Sequence, residues 1–419
     1  MMVLFGHIIY LLAYILVFIL SHLLYLFLPK KIKQWVKLKT QFKTFSTISD
    51  SSQKTYWFHA ASGEIEYVKS TIRELRVQEQ QSIRIVVTYS SPSAPLLFAN
   101  IQNEVDAFIP LCWDLDIFNN RLIKLINPSV VVFARTDFWP RLIYNLKRKD
   151  IPIVAISLFP KTHQLSTVWL KYVLNPMQLI TCVSPSSQDY LKKILPHHQI
   201  KFVPDTRFDQ VLHRLSNPSK IEINNHHNLN FFTVGSSWPK DEEVIIPAIP
   251  NILQFGYKII WAPHETQHAA ELVAQIKNQS LGLRVSLLTQ LMTTTSNTID
   301  VDSIDILIVD RIGFLADLYR FSSLAFVGGS FVGKVHSVME PLCAGNPVIV
   351  GPYYANNPEA IHFQQLKTVL SVQNTQELTA AVSQIHSQKN ELKKIIENDI
   401  PQFTGGTKTL IDSLKNVMS

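Results

Sequence analysis

Short, β-branched apolar runs recur along this chain at helix-length intervals, in two separate series. The first occupies residues 56–60, 83–88, 107–111, 130–134, 153–156 and 179–183. The second occupies 231–234, 258–262, 285–288, 304–309, 324–327 and 348–350. Continuous runs of this length suit strands buried on both faces, as in a parallel sheet covered by helices. The stretches between them, such as 64–80 and 138–149, read as the covering helices. A polar stretch at about 210–228 carries no apolar run and reads as a linker. Strand–helix alternation twice over predicts an α/β chain with two doubly wound, Rossmann-like domains facing a cleft. A length of 419 residues fits two cores better than one.

The N-terminus is of another kind. Residues 1–28 are apolar apart from His7, Ser21, His22 and three tyrosines, and Lys30, Lys31, Lys33, Lys37, Lys39 and Lys43 follow. A helix of that length reaches about 40 Å, enough to cross a hydrocarbon core of about 30 Å. Neither a positive segment before the run nor a small-residue cleavage site after it is present, so a removable signal peptide fits poorly. Lysines flanking an apolar span stay cytoplasmic and favour anionic headgroups. The expectation is a single N-terminal anchor with residues 44–419 on the cytoplasmic side; a helix lying in the membrane interface is the alternative. The expected division is 1–43 anchor and basic segment, 44–215 first domain and 228–419 second domain.

Charge and cysteine content narrow the function classes. The formal net charge is +7, and six of those charges are the lysines of the first 49 residues, which hold no Asp, Glu or Arg. The remaining body is near neutral, which argues against a nucleic-acid partner. Three scattered cysteines form no metal or disulfide pattern, consistent with reduced thiols.

Several motifs follow the predicted strands. His59-Ala60-Ala61-Ser62-Gly63-Glu64 ends the first strand. Ser62 could cap the next helix, with Glu64 an acid favoured by its dipole; alternatively Glu64 is a general base exposed at a strand's carboxyl end. Gly328-Gly329-Ser330 leads to His336-Ser337-Val338-Met339-Glu340. Two glycines after a strand can let backbone N–H groups reach a phosphate, and Lys334 and His336 stand beside them. Ser337 and Glu340 also have capping-box spacing. Gly235-Ser236-Ser237-Trp238 could hold a phosphate or cap the helix near Pro239. Asp114-Leu115-Asp116 reads as a turn and helix cap rather than a metal site. No histidine has metal-ligand spacing, so no metal and no cofactor are expected.

Taken in order, HAASGE (59–64), TDFWP (136–140), DTRFD (205–209), VGSSWPKDEE (234–243), APHE (262–265), FVGGSF (326–331) and HSVMEP (336–341) resemble the Kdo transferase family of lipopolysaccharide assembly. Kdo is 3-deoxy-D-manno-octulosonic acid. The resemblance implies a GT-B architecture and an inverting, metal-independent transfer of Kdo from CMP-Kdo to a phosphorylated lipid A precursor at the inner membrane. It implies Glu64 as catalytic base, with Arg207 and Arg135 as charged groups near the transition state and Ser62 and Gly63 beside the acceptor. For the donor it implies Pro263 and His264, the turn Ile312-Gly313-Phe314, Gly329, Ser330, His336, and Ser337, Val338, Met339 and Glu340. His264 stands where the family carries arginine, and Ser337 where it carries asparagine. Another GT-B glycosyltransferase, a sugar-nucleotide epimerase and an inactive membrane-tethered scaffold are the competing classes.

Overall fold

Both apolar series form parallel sheets in the computed structural model, which describes residues 2–41, 53–160, 166–219, 221–224, 229–279, 282–292, 298–333 and 335–418. Lys43 and Lys334 lie outside them. The first sheet contains β1 (Lys54–His59), β2 (Ile83–Tyr89), β3 (Ala107–Pro110), β4 (Val130–Ala134), β5 (Ile153–Leu158), β6 (Leu179–Cys182) and β7 (Ile200–Phe202), in the order β3-β2-β1-β4-β5-β6-β7. Alternate residues feed cores on opposite faces: Trp57, Val131 and Phe133 on one, Tyr56, Phe58 and Val132 on the other. That two-sided burial is why these strands read as unbroken apolar runs.

A two-residue strand β8 (Glu222–Ile223) precedes the second sheet and pairs with β12 (Thr298–Ile299). The second sheet contains β9 (Asn230–Ser237), β10 (Tyr257–Pro263), β11 (Val285–Leu287), β13 (Ile306–Ile308), β14 (Leu324–Val327), β15 (Val348–Val350) and β16 (Val369–Ser371). Its order is β11-β13-β10-β9-β14-β15-β16. The edge strands β7 and β16 were not legible as apolar runs, because each is only partly buried.

The chain divides into residues 1–210 with 403–419, and residues 211–402. The division therefore falls at the start of the predicted linker, and β8 within that linker belongs to the second unit. The C-terminal helix Gly406–Met418, expected in the second domain, joins the first unit. There Leu410, Ile411 and Leu414 enter the core, and Asp209 accepts hydrogen bonds from the Gly405 and Thr407 amides at 2.8 and 2.6 Å.

At the N-terminus, α1 (Met2–Leu23) and α2 (Lys30–Gln41) lie against the first unit. Tyr14 and Phe18 pack on Trp113, with ring centroids 6.0 and 5.1 Å apart, and the Tyr10 hydroxyl donates to Asp114 at 2.9 Å. The opposite face leaves Leu12, Leu16, Leu20 and Leu23 exposed. Among the described residues no helix is long and apolar enough to cross a membrane, so the spanning anchor expected from the sequence is without structural support. Lys39, expected to face headgroups, is instead fully buried with its ammonium 3.7 Å from the Trp139 ring centre. Burial lowers its pKa to about 8.

Candidate functional site

Strand order reverses between β1 and β4 in the first sheet and between β9 and β14 in the second. Such switch points leave a crevice at the carboxyl ends of the strands. HAASGE, TDFWP, GSSW and VGGSF lie at the carboxyl ends of β1, β4, β9 and β14, on the last strand residues or the loops that follow.

In the first unit, His59 ends β1 fully buried. Its Nδ1 lies 2.9 Å from the Thr88 hydroxyl, which accepts from the Trp57 indole at 2.8 Å. With Nδ1 the acceptor, His59 Nε2 carries the proton and donates to Asp137 at 2.9 Å. Ser90 donates to the same Asp137 oxygen at 2.8 Å. Burial pushes the Asp137 carboxyl up, but hydrogen bonds from His59, Ser90 and Trp139 outweigh it and hold the pKa at about 2. This largely buried network ties the β1 loop to the β4 loop and the loop after β2.

Glu64 follows on a 3-10 turn, Gly63–Tyr67, and α3 (Lys69–Glu79) begins only after it. Ser62 makes no side-chain cap there. Instead its amide donates to Glu64 Oε2 at 3.0 Å, and its hydroxyl meets that of Ser93 at 2.9 Å. A side chain on Gly63 would touch nothing, so the glycine leaves open space beside Glu64. Glu66, two residues on, is committed to Lys69 and Gln210.

Arg207 and Arg135 converge on the end of this turn. Their guanidinium carbons lie 4.2 and 4.9 Å from the centre of the Tyr67 ring. Arg207 is clamped by Asp205, through Nε at 3.1 Å and Nη2 at 2.7 Å. Arg135 adopts a left-handed backbone at φ 64° and donates to the Ser157 carbonyl, whose residue is also left-handed at φ 57°. Left-handed non-glycine residues cost conformational energy and cluster at functional sites. All three catalytic candidates thus gather around one turn.

Asp114 and Asp116 serve packing, as expected of a cap, but Asp114 caps the helix Pro140–Lys147 rather than its own. It accepts from the Arg141 and Leu142 amides at 2.9 and 2.7 Å, while Asp116 holds the Arg141 guanidinium.

In the second unit a cavity of about 330 Å³ is lined by Arg214, Ser236, Gly313, Tyr319, His336, Ser337 and Glu340, among others. Gly235 to Ser237 prove to be the end of β9 itself. Ser236 is the extra residue where β9 and β10 slip register, with φ 55°. Glu340 pairs with Arg214 at 3.6 Å, a partner the sequence offered no motif for. Trp238, His264 and His336 form a three-ring stack, with centroids 4.4 and 4.7 Å apart, and the Trp238 indole donates to His336 at 3.1 Å.

The glycine turn differs from the expected phosphate cradle. The Gly329 amide donates to Asp241 at 2.9 Å and the Gly328 amide to the Gly235 carbonyl at 2.9 Å. Gly328 is required because a Cβ would sit 2.3 Å from the Ser236 carbonyl oxygen. Ser330 is fully buried and accepts from the Gly351 amide at 2.6 Å. These donors close the turn internally. Val338 and Met339 are core residues, so only Ser337 and Glu340 of that stretch line the cavity. The predicted capping box is absent: Ser337 accepts from the Met339 amide, and the helix Met339–Cys343 starts after it. Ile312 is exposed and Phe314 packs against a core cluster, leaving Gly313 of that turn at the cavity. Pro263 ends β10.

Residues 36–210 match the family described as 3-deoxy-D-manno-octulosonic-acid transferase. That match lies wholly within the first unit. A relative named 3-deoxy-D-manno-octulosonic acid transferase from Aquifex aeolicus is 25% identical over 343 residues, covering 80% of this chain and 87% of its own. One of the same name from Chlamydophila psittaci is 27% identical over 325 residues, 71% of this chain and 69% of its own. Among solved structures, a UDP-GlcNAc 2-epimerase from Neisseria meningitidis superposes with a TM-score of 0.56 over 87% of this chain and 100% of its own, at 14% identity. That likeness supports the fold alone: GT-B-like, with two Rossmann-like parallel sheets.

Proposed function

We propose that this chain is an inverting glycosyltransferase that moves Kdo from CMP-Kdo to a phosphorylated lipid A precursor. The observation that carries the reading is the gathering of Glu64, Arg207 and Arg135 around one turn inside the Kdo transferase family domain. A hydroxyl is a poor nucleophile, and Glu64 is a carboxylate with open space at the neighbouring Gly63 and, among the described residues, no ion-pair partner. It would take the acceptor proton as the new C–O bond forms and the bond to the CMP phosphate breaks. Arg207, pre-oriented by Asp205, and Arg135 would balance charge in that transition state. In the second unit Glu340 would accept from ribose hydroxyls, and His264 and His336 would supply donors to the phosphate. The groups named for this step are all side chains of the chain itself.

The test is to incubate the purified full chain with CMP-Kdo and lipid A precursor and weigh the lipid product. A mass gain of one or more Kdo units supports the reading. Transfer from a UDP-sugar and not from CMP-Kdo would assign the chain to another glycosyltransferase activity.

The chain is further proposed to sit at the cytoplasmic face of the inner membrane, through the aliphatic face of α1 and the lysines beside it. Exposed Leu12, Leu16, Leu20 and Leu23 support this. Replacing Leu12, Leu16 and Leu20 by glutamine should move the chain from membranes to the soluble fraction. Full retention in salt-washed membranes would place the attachment elsewhere.

A further inference from the structure

A groove of about 740 Å³ runs in the first unit between α2 and the loop after β2. Lys31, Gln34 and Lys37 line one wall; their three-residue spacing places them along one side of the helix. Ser91 and Ser93 line the other. No acid is among the described residues lining it. Its volume is that of a small-ligand site rather than of a surface dimple.

The groove adjoins the candidate base. Ser91 and Ser93 share a hydrogen bond at 2.9 Å, Ser93 meets Ser62 at 2.9 Å, and the Ser62 amide holds Glu64 at 3.0 Å. A group held between the lysines and Ser93 is therefore a few bonds from the place where an acceptor hydroxyl must sit. In the chain, α2 follows α1 through a short 3-10 turn, Tyr25–Phe27, in which Leu26 and Phe27 are exposed.

We infer that this groove binds the phosphate-bearing sugar headgroup of the acceptor lipid, an inference that rests on the transfer reaction proposed above. Two ammonium groups match a phosphomonoester, which carries about −1.5 to −2 charges at neutral pH and three acceptor oxygens. Serine hydroxyls supply the remaining donors. The exposed Leu26 and Phe27, which come just before α2 in the chain, favour an acylated ligand over a soluble phosphate.

The experiment compares the wild-type chain, Lys31→Ala/Lys37→Ala, and Lys30→Ala/Lys33→Ala, which removes equal charge from α2 outside the groove. Each is given phosphorylated lipid A precursor, or the same lipid after phosphatase treatment, dispersed in neutral detergent. Direct lipid binding and transfer kinetics are both read. The groove variant should raise the acceptor KM and the lipid Kd about tenfold or more, with kcat little changed. It should also lose the preference for the phosphorylated lipid, which the Lys30/Lys33 variant keeps. Equal losses in both variants, or a wild-type chain indifferent to the phosphate, overturn the inference. Wild-type transfer with an unchanged groove variant sinks the groove and leaves the reaction standing. Phosphate-selective, groove-dependent binding without any Kdo transfer sinks the reaction and leaves the groove.

Discussion

The loop after β1 and the loop after β14 leave equivalent places, the switch points of their own sheets, yet they direct their hydrogen bonds oppositely. After β1, the buried His59 and Ser90 and the partly buried Asp137 lie beneath the loop, and a carboxylate emerges beyond them on a short turn. After β14, the donors point inward: Gly329 and Phe331 amides reach the fully buried Asp241, and Gly328 reaches Gly235. The first loop presents a carboxylate on a turn anchored from beneath. The second is a wall whose glycines allow close backbone packing, while the cavity chemistry comes from its neighbours Ser337 and Glu340 and from Arg214. Similar glycine-rich spellings thus support different work, depending on where the amides find acceptors.

The sharpest way to break this contrast is Glu64→Gln. General-base catalysis is worth about 10²–10⁴-fold, so turnover should fall by that factor with CMP-Kdo affinity nearly unchanged. Glu66→Gln, at a carboxylate held by Lys69 and Gln210, should leave most of the turnover. Near-normal turnover of Glu64→Gln at saturating substrates would move the base elsewhere.

Next comes Asp241→Ala. It takes the acceptor from the buried Gly329 amide and from the partly buried Trp238 and Phe331 amides. At about 1–3 kcal/mol for a buried orphaned donor and less for the two partly exposed ones, unfolding by urea should show a loss of roughly 2–3 kcal/mol. A stable variant with weakened CMP binding alone would instead make that turn a ligand cradle.

Glu340→Ala tests the cavity side of the comparison. Losing a charged hydrogen-bond partner costs about 1.5–3 kcal/mol, so CMP affinity should fall roughly 10–100-fold in calorimetry while the fold survives. Unchanged affinity would take Glu340 out of the site.

The smallest effect is acid sensitivity beneath the β1 loop. Asp137 titrates at about 2 in the folded chain against 3.8 unfolded, so its stabilisation is complete above the unfolded value and is lost as pH falls towards 2. The shift corresponds to about 2 kcal/mol. Asp137→Asn should flatten the stability profile between pH 4 and pH 2, roughly the window those two values bound. A variant profile parallel to wild type would show that Asp137 is not the titrating group.

The central strands were legible because burial on both faces writes an unbroken apolar run, as in Val130–Ala134 and Leu324–Val327. Glu64 was legible as a carboxylate at a strand end, and Arg207 and Arg135 only through the ordered motif set. Their shared contact with Tyr67 joins residues far apart in sequence, and no local spacing encodes it. The same limit hid the ion pair of Arg214 with Glu340.

The sequence by itself therefore determined the double α/β alternation, the basic apolar N-terminus and the candidate base, because each depends on local periodicity or composition. Tertiary structure alone decided that Lys39 is buried under Trp139, that Gln402 ends the second unit and residues 403–419 return to the first, and that Gly329 faces Asp241 instead of open solvent. The physical reason is common to all three. A charge, a helix or an amide takes its energy from whichever partner desolvates it, and those partners come from distant strands and helices that only the folded sheet brings within reach.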